Sequence, residues 1–291
     1  MKLLTKFNIV LIIFFGAGGF IIAQLAYDFL MQNARDQVLQ QAELMMASAR
    51  SMRDYTSEQI KPHLLQNPDH LTNFLPQTVP AYAAQTIFSQ LRKTYTNYSY
   101  REATLNPTNL QDRADDWETD VILYFSDHSN EKVVKGERDT PLGRQLYLAK
   151  PIPVDASCMG CHSAPDVAPV AMIRKYGSAN GFGWVLGQVI AAQIVSVPMD
   201  VPIGIAKKAF NRLLLFLFIT FLVTIAALDT AVYVLVIRPL KTVADAADRV
   251  SKGDTEAPEV AVRGKDEIAN VTVSFNRMRV SLQKALRMLE Q

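Results

Sequence analysis

Two long apolar segments set the strongest constraint on how this 291-residue chain can fold. Residues 7–27 carry no charge, residues 213–237 carry only Asp229, and basic residues precede both segments. About 20 apolar residues are what a helix needs to cross the hydrocarbon core of a membrane. We therefore predict two transmembrane helices. A cleaved signal peptide is the alternative for the first, although its apolar run is longer than in most signal peptides.

The two spans divide the chain into an exported part and two short cytoplasmic parts. The lysines before the first span and the count of two spans place both ends of the chain in the cytoplasm. Residues 1–6 and 238–291 are then cytoplasmic, and residues 28–208 form a domain in the periplasm of a bacterial inner membrane, an oxidising compartment. The 30 basic and 28 acidic residues nearly balance, which argues against a nucleic-acid partner.

The exported part shows helical periodicity first and strand periodicity afterwards. Residues 28–67 lack glycine, are rich in Ala, Gln, Leu and Met, and indicate one long helix; residues 81–95 indicate another. Shorter runs between turn-forming residues predict strands at 98–104, 120–125, 132–136 and 144–152, with one or two more within 183–199. Helices followed by a meander of strands predict an α+β domain with an antiparallel sheet.

The exported part contains both cysteines of the chain, in the pentapeptide CMGCH from Cys158 to His162. In c-type cytochromes, two cysteines at this spacing bond to the haem vinyl groups and the next histidine binds the iron. A zinc site, which needs about four ligands, and a redox dithiol or disulfide are the alternatives. We predict one covalent haem c attached to Cys158 and Cys161, with His162 as the proximal ligand of the iron.

The ligand on the other face of the iron is less constrained. A methionine or a second histidine there makes a low-spin electron carrier, whereas an open position admits a gas. We rank Met52 first, then Met46 and then His63, because these residues lie along the first exported helix or at its end. Met45 and Met172 are the remaining candidates.

Weaker arguments assign further residues of the exported part. The polar segment 101–109 either lines a haem pocket or only connects a strand to the next element. Trp117 and Trp184 are expected in the core. The candidate partners of the haem propionates are Arg101, Arg144, Arg174 and Lys175. Asp229 lies within the second span, where acidic residues usually face a partner or a cavity.

Two amphipathic segments follow the second span. In both, apolar residues recur at alternating steps of three and four, the pattern of a coiled coil. They are Leu240, Val243, Ala247 and Val250 in the first segment and Ile268, Val271, Phe275, Met278 and Leu282 in the second. Helices this short are marginal alone, so we expect a parallel bundle with a second copy of the chain.

The segment 237–289 resembles a HAMP domain. The resemblance rests on Pro239, a glycine-containing connector, Asp-Glu-Ile at 266–268 and Phe-Asn-x-Met at 275–278. HAMP domains are parallel four-helix dimers that relay motion from a transmembrane helix. The resemblance therefore implies a homodimer and a role in signalling.

The exported part resembles the periplasmic c-type haem domains of PAS-like fold that precede HAMP in some bacterial chemoreceptors and histidine kinases. The segments that carry this resemblance are MRDYT at Met52, YSYREATLNPTN at Tyr98, CMGCHSAP at Cys158 and YGSANGFGW at Tyr176. In related domains the sixth ligand varies and includes a methionine of the amino-terminal helix, which supports Met52.

These features predict a membrane-bound haem c sensor of redox state or of a gas, and not an enzyme. The methyl-accepting or kinase output usual in such receptors does not follow the HAMP segment, so we expect the signal to pass to a separate cytoplasmic partner. The alternative is a membrane-anchored c-type cytochrome subunit that transfers electrons to a redox partner and uses HAMP for dimerisation.

Overall fold

The computed structural model describes the backbone of residues 3–254 and 256–289, and the side chains within these ranges except those of Leu3, His70, Leu71 and Leu289. The chain separates into two compact units. One unit consists of Met1–Tyr27 and Phe210–Gln291, and the other is Asp28–Ala209.

Ten α-helices and four strands are found in the described ranges. In chain order they are α1 (Leu3–Tyr55), α2 (Lys61–Leu65), α3 (Pro68–Thr72), α4 (Pro80–Thr94), β1 (Ser99–Thr104), α5 (Asp116–Asp127), β2 (Val134–Thr140), β3 (Gly143–Pro153), α6 (Met159–His162), α7 (Val170–Tyr176), β4 (Val189–Pro198), α8 (Asp200–Val232), α9 (Arg238–Ser251) and α10 (Glu267–Leu289). Two π-helical turns, Thr56–Ile60 and Tyr233–Ile237, join α1 to α2 and α8 to α9.

The four strands form one antiparallel sheet in the order β1-β4-β3-β2. β2 and β3 make a hairpin, and β4 inserts between β1 and β3, with Ser99 of β1 opposite Ser196 of β4. The α+β class and the antiparallel sheet predicted from the sequence are confirmed. Residues 183–199 supply one strand, because β4 begins only at Val189.

The run 120–125, predicted as a strand, lies instead in the helix α5, so that prediction was wrong. The helix begins with a capping box, in which the Asp115 side chain accepts from the N–H of Glu118 and the Glu118 carboxylate accepts from the N–H of Asp115 at 2.9 Å. Val121, Ile122 and Phe125 then fall on one buried face. The capping residues carried the helical signal, which the apolar run obscured.

Helices cover both faces of the sheet. One face packs against α1 and α4 through a cluster that includes Val38, Met46, Phe88, Tyr100, Leu148 and Val195. The opposite face packs against α5 through Ala103, Val121, Ile122, Phe125, Ala149, Ala192 and Ile194. A third, smaller cluster forms around Val154, Ile190 and Ala191, where β3 ends and β4 begins.

The two predicted spans lie in helices that are long and apolar enough to cross a membrane. Each contains an 18-residue window with a mean hydropathy of 2.4 and no buried residue. The side chains of Phe14, Phe20 and Phe216 are 74%, 72% and 67% exposed, as expected for helices whose apolar surface is covered by lipid. Asp229 of α8 accepts a hydrogen bond from the Asn8 amide of α1 at 3.0 Å.

The two helices predicted after the second span are α9 and α10. The connector between them is held by Asn276, whose side chain accepts from the N–H of Val260 at 3.1 Å and donates to its carbonyl at 2.8 Å. Ala257 of the connector is buried, as are Val243, Ala269 and Phe275 of the helices. The amphipathic pattern of this region therefore did predict its helices.

Candidate functional site

The CMGCH segment is fixed to the end of the sheet. A single 3₁₀ turn, Ala156–Cys158, leads into α6, and the Asp155 side chain caps this turn by accepting from the N–H of Ser157 at 2.7 Å. Cys158 and Met159 pack against the small cluster of Val154, Ile190 and Ala191. The cap and this packing therefore hold the start of the CMGCH segment against the end of the sheet.

Both cysteines are free thiols and partly buried. Burial raises the pKa of the Cys158 thiol, and the negative charge of Asp155 raises it further. Burial also raises the pKa of the Cys161 thiol, although the positive charge of Lys61, on α2, opposes this shift. Lys61, at the end of the long amino-terminal helical segment, is therefore close enough to the second cysteine for its charge to act on the thiol.

The imidazole of His162 is oriented by two neighbours. Its Nδ1 lies 2.8 Å from the carbonyl oxygen of Gly181, and its ring stacks on the indole of Trp184, with 3.8 Å between centroids and 11° between planes. A carbonyl oxygen only accepts, so Nδ1 carries the proton and Nε2 keeps its lone pair. Burial lowers the pKa of His162, which favours this neutral form.

The loop that supplies the Gly181 carbonyl is tied to the segment after β1. Asn106 accepts from the N–H of Gly181 at 3.1 Å and donates to the carbonyl of Phe182 at 3.3 Å. The hydroxyl of Thr108 lies 3.4 Å from Nδ1 of His162. The polar segment 101–109, for which the sequence left two interpretations, therefore contributes side chains to the surroundings of His162.

Gly181 is required by its backbone conformation and by its neighbour. Its φ is +83°, and a Cβ at this position would lie 2.0 Å from Oγ1 of Thr108. Side chains rarely adopt such a φ. The glycine-rich segment YGSANGFGW thus positions the acceptor for His162.

A second feature lies along the amino-terminal helices. The π-helical turn Thr56–Ile60 interrupts the α-helical hydrogen bonding, and such turns are frequent at functional sites. Beside it is a largely apolar cavity of about 290 Å³. Its lining includes Met52, Tyr55, Thr56 and Ile60 from these helices and Tyr82, Thr86 and Ile87 from α4.

The other candidates for a sixth ligand have different surroundings. Met46 is 2% exposed within the core cluster of α1, and Met45 packs against the same cluster. Met172 of α7 is 3% exposed, and His63 of α2 lies at the surface. Among these methionines, Met52 is the one that lines the cavity.

The basic residues proposed for the haem propionates contact protein groups in this structure, and their role toward a haem stays a prediction. Arg101 pairs with Glu118 on the sheet face that α5 covers, and Arg144 pairs with Glu137 and Asp139. Arg174 and Lys175 donate to the backbone carbonyls of Thr72 and Phe74 at 3.4 and 3.5 Å. These ion pairs and hydrogen bonds link strands, helices and loops within the domain.

Sequence reasoning missed two neighbours of His162. Trp184 was expected in the core and does pack against the cluster of Val154, Ile190 and Ala191, but its ring also stacks on the imidazole. The role of the Gly181 carbonyl was not foreseen. The available signal was the density of glycines in 177–183, since several glycines close together indicate backbone in unusual conformations.

The arrangement is suited to holding a haem. Two thiols that are not bonded to each other and an imidazole with an available Nε2 form the donor set of a haem c. The Nε1 of Trp184 is buried, and no hydrogen-bond partner for it occurs in the described part of the chain. A buried donor in this condition fits a site completed by a bound group.

Comparison with known proteins distinguishes the domain that contains the CMGCH segment from the carboxyl-terminal helices. A HAMP domain model matches residues 234–284. The solved structures include one similar chain, described as the crystal structure of the cyanobacterial heme-protein Tll0287; identity is 15%, the TM-score is 0.42, and the match covers 55% of this chain and 94% of that chain. No curated protein matches.

The family model described as Tll0287-like matches residues 31–198, which is more than half of the chain and includes α4, the whole sheet and the CMGCH segment. The chain belongs to the Tll0287-like family and carries a HAMP domain in its carboxyl-terminal region.

Proposed function

We propose that this protein is a membrane-bound haem c sensor that detects redox state or a small ligand of the iron and signals through its HAMP domain. The observation that carries the proposal is the orientation of His162 by Gly181 and Trp184 directly beside two free thiols. Membership of the Tll0287-like family supports it, because Tll0287 itself is described as a heme-protein.

In this proposal Cys158 and Cys161 would hold one haem through two thioether bonds, and His162 would hold its iron through Nε2. When bound, the haem supplies an iron that changes oxidation state or takes up a small ligand. Burial raises the pKa of both cysteines and so favours their thiol form.

We assign the sixth coordination position to Met52. Its side chain lines the apolar cavity next to the π-helical turn, and the same helical segment reaches Cys161 through the charge of Lys61. Met52 packs against the core cluster as Met45 does, but among the candidate methionines only Met52 lines the cavity. Met46 and Met172 are enclosed in the packed interior, and His63 lies at the surface.

The residue after Met52 offers a connection from this position to the sheet. The guanidinium of Arg53 forms an ion pair with the carboxylate of Glu102 on β1. Glu102 is only 4% exposed. The hydroxyl of Tyr100 donates to the same carboxylate at 2.6 Å. A change of ligation at Met52 would therefore disturb a buried contact between α1 and the sheet, and α1 also contains the first apolar span.

The HAMP domain is the proposed output. Val271, Met278 and Leu282 of α10 are 49%, 59% and 42% exposed in the single chain, although they lie at the coiled-coil positions predicted from the sequence. A second copy would cover them. We therefore propose a homodimer, with residues 28–208 in the periplasm, HAMP in the cytoplasm, and a cytoplasmic partner that receives the signal.

The first test is the haem content of the purified full chain. A pyridine haemochrome assay should detect one covalent haem, and Cys161→Ala should lose one of the two thioether links. Absorption spectra of the oxidised and reduced protein, with and without CO or NO, then report the ligands of the iron. Absence of covalent haem from the wild-type chain contradicts the proposal.

The second test separates Met52 from its neighbours. Met52→Leu should shift the absorption maxima and open the iron to CO, whereas Met45→Leu, a matched change on the same helix, should leave the spectra as in the wild type. Equal spectra for the wild type, Met52→Leu and Met45→Leu would show that Met52 is not a ligand of the iron.

The third test concerns signalling. With the HAMP domain fused to a reporter kinase, kinase activity should change when the haem is reduced or binds a gas. A silent reporter, together with a haem that stays six-coordinate in both oxidation states and is rapidly reduced by a respiratory partner, would favour the membrane-anchored electron-transfer cytochrome.

A further inference from the structure

A second cavity lies on the sheet face that packs against α5. It has a volume of about 340 Å³, which is within the range of small-molecule sites. Its lining comes from α4, the start of α5 and all four strands; the polar members on the strands are Ser99, Arg101, Arg138, Thr140, Gln145 and Ser196. None of Met52, Cys158, Cys161 and His162 lines it.

The floor of this cavity is more polar than the rest of the same sheet face. Where α5 covers the sheet, the facing residues are Ala103, Ala149 and Ala192. Four residues away along β4 and β3, the same face carries Ser196 and Gln145, which are 4% and 7% exposed. Burying polar groups costs free energy unless they find partners. The Gln145 amide finds one in the carbonyl of Asn97 at 3.3 Å, and Gln145 and Ser196 give the lining a polar character that the alanines lack.

Three arginines surround the cavity: Arg92 on α4, Arg101 on β1 and Arg138 on β2. Nε of Arg101 lies 3.1 Å from a carboxylate oxygen of Glu118, so that charge is balanced within the protein. The guanidinium of Arg138 lies 3.8 Å from the centre of the Trp117 ring. Within the described ranges, no carboxylate lies at ion-pair distance from Arg92 or Arg138.

The acidic residues of the lining are already engaged. Asp115 and Glu118 form the capping box of α5, and Glu118 also pairs with Arg101. The remaining lining is apolar and includes Trp117, Leu142 and Ile194. The cavity thus combines an apolar wall with two guanidinium groups that form no ion pair in the described ranges, although the charge of Arg138 also acts on Glu118. Guanidinium groups match the planar geometry of a carboxylate.

We propose that this cavity binds a small organic carboxylate, with the carboxylate held by Arg92 and Arg138 and the carbon skeleton against Trp117, Leu142 and Ile194. The apolar wall favours an anion with a carbon skeleton over inorganic phosphate. None of the proposed haem ligands lines this site, which gives the sensor domain a second ligand.

The test is calorimetric titration of the full chain in detergent, at constant ionic strength, with acetate, succinate and benzoate as probes. Succinamide and inorganic phosphate are the neutral and carbon-free comparisons. At least one carboxylate should bind saturably, more tightly than either comparison, and the absorption spectrum of the protein should not change on binding. Tighter binding of phosphate or succinamide than of every carboxylate contradicts the proposal.

Variants locate the binding. Because a hydrogen bond to a charged group is worth about 1.5–3 kcal/mol, Arg138→Gln and Arg92→Gln should each weaken binding about tenfold or more. Arg92 is exposed on α4, so its substitution tests the site even if Arg138→Gln impairs folding. The matched control is Lys135→Gln, an exposed position of β2 outside the lining. No saturable binding to the wild type, or equal weakening in Lys135→Gln, overturns the proposal.

Discussion

The carbonyl oxygen of Gly181 accepts a hydrogen bond from Nδ1 of His162 at 2.8 Å. The two residues are 19 positions apart, and the contact is possible because the backbone at Gly181 has a φ of +83° and passes close to Thr108. A histidine whose Nδ1–H is held by a carbonyl keeps its ring orientation and presents Nε2 to a metal. The geometry of the proposed proximal ligand therefore depends on a glycine.

We expect Gly181→Ala to destabilise the protein and to reduce haem incorporation. A Cβ would meet Oγ1 of Thr108 at 2.0 Å and its backbone Cα at 2.9 Å, and the positive φ adds strain of about 1–3 kcal/mol. The measurement is haem content by haemochrome assay together with the melting temperature.

Two other glycines serve as controls for this substitution. Gly183 also has a positive φ, +76°, but a Cβ there would meet no atom within 4 Å, so Gly183→Ala isolates the backbone strain. Gly160 has open space as well and lies in the helical CMGCH segment, so Gly160→Ala should be tolerated. If Gly181→Ala has the same haem content and melting temperature as Gly160→Ala, the hydrogen bond to His162 does not depend on this loop conformation.

The ion pair between Arg53 and Glu102 gives a prediction about stability. Arg53→Met leaves the buried carboxylate of Glu102 without its counter-charge, and breaking a buried pair in this way costs about 3–5 kcal/mol. The expected result is a clearly lower melting temperature. Adding Glu102→Leu to Arg53→Met should recover part of the loss, because the unpaired charge is then removed.

Arg50→Met is the matched control on the same helix. Arg50 pairs with Asp54 at 3.7 Å, but both side chains are largely exposed, and such pairs contribute about 0–1 kcal/mol. Equal effects of Arg50→Met and Arg53→Met would show that burial of Glu102 does not determine the strength of the contact between α1 and the sheet.

Glu118 gives a prediction about pH. Burial raises the pKa of this carboxyl, although the hydrogen bond from the N–H of Asp115 and the charge of Arg101 oppose the shift. The folded chain therefore retains this proton at a pH where the unfolded chain has lost it. Its contribution to stability is fully present below about pH 4.3, the ordinary pKa of glutamate, and is lost as pH rises through the raised value.

Glu118→Gln should remove this part of the pH dependence, measured as melting temperature against pH, because the amide oxygen can still accept from the N–H of Asp115. Glu131→Gln, at an exposed position, controls for the loss of a negative charge. If the slope above about pH 4.3 persists in Glu118→Gln, another group is responsible for it.

The sequence predicted those parts of the molecule whose signal is local. The apolar spans, the amphipathic pattern of α9 and α10, and the CMGCH spacing each depend on neighbouring residues, and the helices and the family were recovered from them. α5 was misread because a run of apolar residues gives no clear period and the deciding signal was its cap. The stacking of Trp184 on His162 follows from how two loops meet, so spacing along the chain did not indicate it.

The hydrogen bond between Asn8 and Asp229 is the basis of the last prediction. Nδ2 of Asn8 donates to Oδ2 of Asp229 at 3.0 Å, and both groups lie in apolar helices. Hydrogen bonds between transmembrane helices contribute about 1 kcal/mol, so Asp229→Leu and Asn8→Leu should each lower the melting temperature in detergent. The melting temperature of the double variant should fall by less than the sum of the two single decreases, since both changes remove the same interaction. Thr224→Val is the control, because Oγ1 of Thr224 donates within its own helix, to the carbonyl of Thr220 at 2.8 Å, and forms no other hydrogen bond in the described ranges. Additive losses in the double variant would mean that Asp229 acts on something other than Asn8.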